Sequence, residues 1–149
     1  QVPDTTDVKI DPKTNTLVRE GVASITNPFD EYAVEEALLI KEKHGGEVHV
    51  ISMGPPQAIE VLKNALAVGA DKVYLVSDRA FAGADTLATA YTVATTIKKI
   101  VGDVDLVICG KQAIDGDTAQ TGPGIATRLG YTQLTYVVEV EWIDDIVVT

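Results

Sequence analysis

The chain has one cysteine, Cys109, two histidines, His44 and His49, and only twelve basic residues against twenty-two acidic ones. Each shortage removes a class of function. A single cysteine cannot close an internal disulfide, which fits a reducing compartment. Cys109 stands far from both histidines, with none of the spacings that hold a structural metal, so no metal site is expected. A formal net charge of −10 repels phosphate backbones and anionic lipid, so nucleic acid is not expected as a partner. No apolar run approaches the ~18 residues needed to cross a bilayer. Nothing resembles a secretory h-region, and no membrane insertion is expected. Internal repeats and low-complexity segments are missing. So is the phosphate-binding lysine of a Walker loop, because "GKQ" (110–112) lacks both the upstream glycine and the following Ser/Thr.

What remains is 149 residues at 46% hydrophobic content, enough for one domain. Both ends look cut: the chain opens on Gln1 and closes on "DDIVVT", an apolar run that has barely begun. The expectation is a single α/β domain over 1–149 that forms part of a longer subunit.

Three short apolar, β-branched runs read as strands covered on both faces: "VHVISM" (48–53), "VYLVS" (73–77) and "DLVIC" (105–109). Between them lie two helical patterns. In 55–68, Ile59, Leu62 and Leu66 recur at helical spacing, with prolines before and Gly69 after. In 85–101, Leu87, Ala90, Tyr91, Ala94, Ile97 and Val101 form one stripe, and Asp85 is the candidate N-cap. The alternation predicts βαβαβ, a parallel sheet with right-handed crossovers. Upstream, "VKIDPKTNTLVREG" (8–21) reads as a hairpin. "NPFDEYAVEEALLIKEKHGG" then opens a helix, with Asn27 as cap, Pro28 in the first position and Asp30 at the capping-box position. Ile125, Ala126 and Leu129 predict a helix that stops at Gly130, and "LTYVVEVEW" (134–142) alternates as a strand. Three core strands make a thin sheet, and a strand ahead of Gln1 would fill it.

Ligands of open α/β sheets bind beyond the carboxyl ends of the strands. Three loops leave such ends: "MGPPQ" (53–57), "SDRAFAGADT" (77–86) and "GKQAIDGDTAQTGPG" (110–124). The last is the densest. Gly110, Gly116, Gly122 and Gly124 suggest close backbone approach and φ > 0. Thr118, Gln120 and Thr121 offer donors at a helix N-terminus, which favours an anion such as phosphate. Asp115 and Asp117 suit ribose hydroxyls or the loop's own amides better than phosphate. A nucleotide presents both partners; a helix-capping loop without ligand is the alternative. Cys109 reads as a buried thiol, Met53 as packing, the Glu31, Glu35, Glu36 series as a solvated face, and the histidines as having no role. No catalytic acid–base pair is expected.

"NPFDEYAVEEALLIKEK", "GPPQAIEVLKNALAVGADK" and "GKQAIDGDTAQTGP", in this order, resemble the β subunit of electron transfer flavoproteins, the family that includes the FixA proteins. The resemblance implies a Rossmann-like (adenine nucleotide α-hydrolase-like) parallel sheet with helices on both faces. It implies electron transport as a cytoplasmic bacterial heterodimer with an α subunit, and a β-subunit nucleotide that is AMP in the respiratory type or a second FAD in the electron-bifurcating type. Matched motif to motif, the contacts fall on Asn27, Pro28, Phe29, Asp30 and Met53, and on Gly110, Lys111, Gln112, Ala113, Ile114, Asp115, Gly116, Asp117, Thr118, Ala119, Gln120 and Thr121.

Gly116 in "DGDTAQ" leaves room for a diphosphate, and "QVPDT" and "SDRAFAGADT" resemble the bifurcating sequences. These features favour the bifurcating type, a redox carrier that oxidises NADH only within its complex. NADH would then approach Gly54, Asp78, Arg79, Phe81, Gly83, Ala84, Asp85 and Thr86, although 78–86 also reads simply as a connection. The implied partners are an acyl-CoA dehydrogenase-like or other flavin dehydrogenase, and ferredoxin or flavodoxin as acceptor. A non-redox ATP-binding module of stress-protein type and a purely structural partner domain are the rivals from other classes.

Overall fold

The computed structural model describes residues 1–4, 12, 24–142 and 147–148. The expected hairpin at 8–21 lies, apart from Pro12, outside the described residues. β1 (Val2–Pro3) pairs antiparallel with β2 (Ser24–Ile25), a contact the sequence did not announce. α1 (Pro28–His44) follows and leads into β3 (His49–Met53). A short 3₁₀ turn, Pro56–Ala58, opens α2 (Ile59–Val68), and β4 (Lys72–Val76) returns beside β3. α3 (Thr86–Thr96) ends in one wider turn, Ile97–Val101. α4 (Thr121–Leu129) precedes β5 (Val140–Trp142) and β6 (Val147–Val148), an antiparallel pair.

The core of the architecture is the parallel ladder of β3 and β4, in register from His49↔Lys72 to Met53↔Val76. Successive strand residues face opposite sides, and the two central residues of β3 show what covers each face. Val50 packs with Val48, Ala65, Ala70, Ala37 and Leu38, which belongs to the side of α1 and α2. Ile51 packs with Ala90, Ala94, Ile97 and Ile125, on the side of α3 and α4. Helices therefore cover both faces, as a βαβ chain with right-handed crossovers requires. Lys41 fastens the α1 side, donating from Nζ to Asp71 Oδ1 and Oδ2 at 2.7 and 2.8 Å and to the Gly69 carbonyl at 3.1 Å. Asp71 also accepts the Val48 amide at 2.7 Å. Both bonds hold its carboxyl below the usual range, the lysine bond first.

Helix ends obey local rules. Asp85 caps α3 by accepting the Ala88 amide at 2.8 Å. Gly130 stops α4 in the left-handed conformation at φ 76°, where an L side chain is strained.

Helix faces obey them less well. In α2 the buried residues are Val61, Leu62 and Ala65, whereas Ile59 and Leu66 are exposed. The segment carries two overlapping apolar stripes, and the sheet beneath selects the one with the smaller residue at 65. In α3 the buried set is Ala90, Ala94 and Thr96, joined by Ile97 in the turn that follows, with Leu87 and Tyr91 turned outward. The reason is close approach. A Cβ on Gly124 would stand 2.8 Å from Ala90 Cβ, so α3 and α4 touch through their smallest residues and leave no room for a tyrosine.

Of two further expected strands, one is not found in the described residues and the other is found only at its end. The run 105–109 has no ladder hydrogen bonds, and Cys109 is exposed rather than buried at a strand end. Val104 and Val107 still pack against the α3–α4 cluster, so the apolar pattern reported burial, not pairing. Of 134–142 only Val140–Trp142 is a strand. Leu134, Tyr136, Val137 and Val138 are exposed, and alternation alone makes no strand where no neighbouring edge is in register.

Candidate nucleotide site

The long loop is anchored at the start of α1. Asn27 was expected to cap that helix, but its side chain makes no capping hydrogen bond. Instead Asn27 Nδ2 donates to the Gln112 carbonyl and to Asp30 Oδ2, both at 2.8 Å. Asn27 Oδ1 accepts the Ile114 amide at 3.1 Å. Asp30 likewise forms no capping box, because its Oδ1 accepts the Gly110 amide at 2.8 Å. Asn27 is only 2% exposed, so its amide group has exchanged water for loop backbone. Capping chemistry and bridging chemistry use the same side-chain atoms, and the loop 85 residues away has claimed them. No local signal in "NPFD" could have shown this.

Gly110 has a packing role. A Cβ there would lie 2.7 Å from the Asp30 amide nitrogen, from Asp30 Oδ1 and from the Phe29 carbonyl carbon. The loop can reach α1 only because this residue has no side chain.

Beyond the anchor the loop turns outward. Positive φ was expected at its glycines, but it falls on Asp117 at 51° and Ala119 at 53°. Gly116 has open space where a Cβ would go, so its value is room rather than backbone freedom. Asp117 is latched by its neighbours: its Oδ1 accepts from Gln112 Nε2 at 2.6 Å and its amide donates to the Ala113 carbonyl at 3.0 Å. A latch of this kind is what keeps a non-glycine residue left-handed. Ala119 is followed by Gln120 in the right-handed region, φ −112° and ψ −5°, and then by α4. Such a left-then-right pair turns successive amides into one concavity. The first amides of a helix lack intrahelical acceptors, so the junction at 119–122 is a donor-rich cup. Gln120 is the N-cap residue without a side-chain capping bond.

The second loop meets the first. Thr86 Oγ1 and Thr118 Oγ1 are 3.2 Å apart, which joins the start of α3 to the turn before α4. Asp78 and Asp85 are committed to backbone, accepting the Ala80 and Ala88 amides. A broad opening, lined by parts of α1, α2 and α3 as well as β3 and the 103–110 segment, is bordered by both loops. Asn27, Asp30, Met53, Gly54, Asp78, Arg79, Phe81, Gly83, Ala84 and Thr86 line it, as do Gly110, Lys111, Gln112, Ala113, Asp115, Gly116, Thr118, Ala119 and Thr121. Pro28, Phe29, Asp85, Ile114, Asp117 and Gln120 do not. They belong instead to the helix starts and to the outer side of the loop.

Two features were not visible in the sequence. Lys111 Nζ stands 4.8 Å over the Tyr136 ring, which ties the loop to a residue 25 positions on. Cys109, exposed as a residue, has its thiol crowded by neighbouring atoms; desolvation, with a smaller contribution from the Asp30 carboxylate, pushes it up to about 11. At neutral pH it is no nucleophile. Among the described residues no group of three His, Cys, Asp or Glu could hold a metal ion, and no helix is long and apolar enough to cross a membrane.

Residues 14–149 match the model of the electron transfer flavoprotein domain. The chain belongs to the electron transfer flavoprotein family. It is 60% identical over 141 residues to the electron transfer flavoprotein subunit beta of Clostridium acetobutylicum, covering 95% of this chain and 54% of that protein. The caffeyl-CoA reductase-Etf complex subunit CarD of Acetobacterium woodii is 61% identical over 142 residues, with coverage of 95% and 54%. Protein FixA of Azorhizobium caulinodans is 54% identical over 147 residues, covering 97% of this chain and 52% of FixA. This electron transfer flavoprotein chain thus spans about half the length of the curated relatives it matches.

Proposed function

We propose that the chain is the nucleotide-binding part of an electron transfer flavoprotein β subunit of the bifurcating type, holding FAD in the cleft. The observation that carries this reading is the anchored loop: the Asn27 and Asp30 side chains hold the backbone of 110–114, while Asp115, Gly116, Thr118, Ala119 and Thr121 border the cleft. A rigid base with an open rim suits a ligand that is gripped at its polar end. The cup at 119–122 fits a phosphate. Lys111 and Arg79 bring cations to a lining that also carries Asp115 and Asp78. In this reading the Asp115 carboxylate lies on the side of the loop that meets the ribose. Open space at Gly116 favours a diphosphate over the single phosphate of AMP. A second nucleotide, NADH, would lie beside Gly54 and 78–86, which border the same opening.

A bound flavin supplies the hydride acceptance and single-electron release that no side chain here can supply. The residues of this chain bind and orient. Thr86 and Thr118 hold the two loops at one spacing, and no group is assigned to proton transfer. The complementary α subunit, a flavin dehydrogenase and a low-potential acceptor complete the proposed system. The respiratory alternative, with AMP in the same cup, is separated by flavin stoichiometry. Two FAD per α–β complex, bleached rapidly by NADH under anaerobic conditions, are expected. One FAD plus one AMP, inert to NADH, would replace this reading by the respiratory one. Gly116→Val should lower β-site nucleotide occupancy by filling the space the diphosphate needs, without unfolding the loop.

A further inference from the structure

On the exposed side of α3 and α4, one cation lies over an aromatic ring and two more border the same groove. Arg128 lies with its guanidinium carbon 5.1 Å from the centre of Tyr91. Lys98 donates from Nζ to the Arg128 carbonyl at 2.6 Å, and Lys99 is its exposed neighbour. Together with Ala94 and Thr95 they border a shallow groove of about 390 Å³. No ion pair joins these cations to a carboxylate among the described residues, whereas Lys41, Lys63 and Lys72 each have one. Tyr91 is 58% exposed and Leu87, one turn earlier, 66%.

Unpaired positive charge concentrated on a chain of net charge −10 is a local reversal of sign. It steers acidic surfaces to one place and repels them elsewhere. The patch is small, with an apolar centre and a charged rim, which is the anatomy of a weak, short-lived redox encounter rather than of a permanent subunit interface. It also lies at the C-terminal ends of the two helices whose N-termini border the candidate nucleotide cup. α4, at nine residues, separates the two by about 13 Å.

We propose that Lys98, Lys99, Arg128 and Tyr91 form the docking surface for a small acidic electron-carrier protein. The inference rests on the electron-transfer reading above and adds where the carrier lands. One electron crosses per encounter, from the reduced complex to the oxidised carrier, and no bond forms between the proteins.

The test uses the full-length β subunit in its α–β complex, reduced with dithionite so that it does not depend on NADH. Stopped-flow spectroscopy follows oxidation of the complex by an acidic ferredoxin at 50 and 500 mM NaCl. For the native complex the second-order rate constant should fall about tenfold or more with salt, as for other steered encounters. Lys98→Glu/Lys99→Glu should lower the low-salt rate at least tenfold and flatten the salt dependence. Lys99→Glu alone, which leaves the Lys98 bond to α4 intact, should go part of the way. Lys63→Glu, on α2, should leave the rate unchanged. Variant rates and salt slopes equal to native would overturn the docking surface, as would a native complex that does not react with the carrier. Failure of NADH to reduce the complex, with the dithionite results intact, would count against the donor assignment alone.

Discussion

Asn27→Ala tests whether Asn27 belongs to the site or merely to the helix. The substitution removes the bonds to the Gln112 carbonyl, the Ile114 amide and the Asp30 carboxylate. A net hydrogen bond contributes about 1 kcal/mol, so three sum to about 3 kcal/mol, with a further cost for any loop group left buried and unpaired. With a urea m-value of about 2 kcal/mol/M the midpoint should drop by about 1.5 M. Simple loss of a cap would cost only about 1 kcal/mol. Asn27→Ser separates the two accounts, because serine caps helices well but is too short to reach across to Gln112. On the bridging account serine behaves like alanine, and the Ile114 amide loses hydrogen-exchange protection in both variants. Nucleotide occupancy of the full-length subunit falls with it, since the cup is no longer held against α1. If serine restores native stability and Ile114 protection is unchanged, Asn27 is a cap and the anchored-loop account is refuted.

Gly124→Ala places a methyl group 2.8 Å from Ala90 Cβ, so α3 and α4 must separate; overpacking of this kind costs about 1–3 kcal/mol, and a urea midpoint equal to native would refute the contact. Asp71→Asn tests the Lys41 fastening through pH. The depressed carboxyl contributes stability in full above its unfolded value of about 3.9 and loses it as pH falls through the lower folded value. The variant should therefore be less stable than native at pH 7 and approach it in acid, and a penalty that stays constant from pH 7 to pH 2 would refute the assignment.

The sequence by itself determined what depends on neighbours within a turn or two of chain. The starts and stops of α1, α3 and α4 follow from Pro28, Asp85 and Gly130, because caps and left-handed stops are decided by residues in direct succession. The βαβ order followed from apolar runs and helical spacing, and the family from three motifs in order. Tertiary structure decided everything that needed a second segment. The apolar runs at 105–109 and 134–139 had strand composition, but a ladder requires a facing edge in register. α2 and α3 each had more apolar residues than one face can bury, and the sheet and the Ala90–Gly124 contact chose among them. Within the loop, glycine content suggested freedom at Gly116, yet the latch from Gln112 to Asp117 set where the backbone turned left-handed. Asn27 shows the division most directly. Its side chain can satisfy its own helix, for about 1 kcal/mol, or a distant loop together with Asp30, for about 3 kcal/mol. The choice was made by Gly110, whose missing side chain lets that loop come close enough to compete.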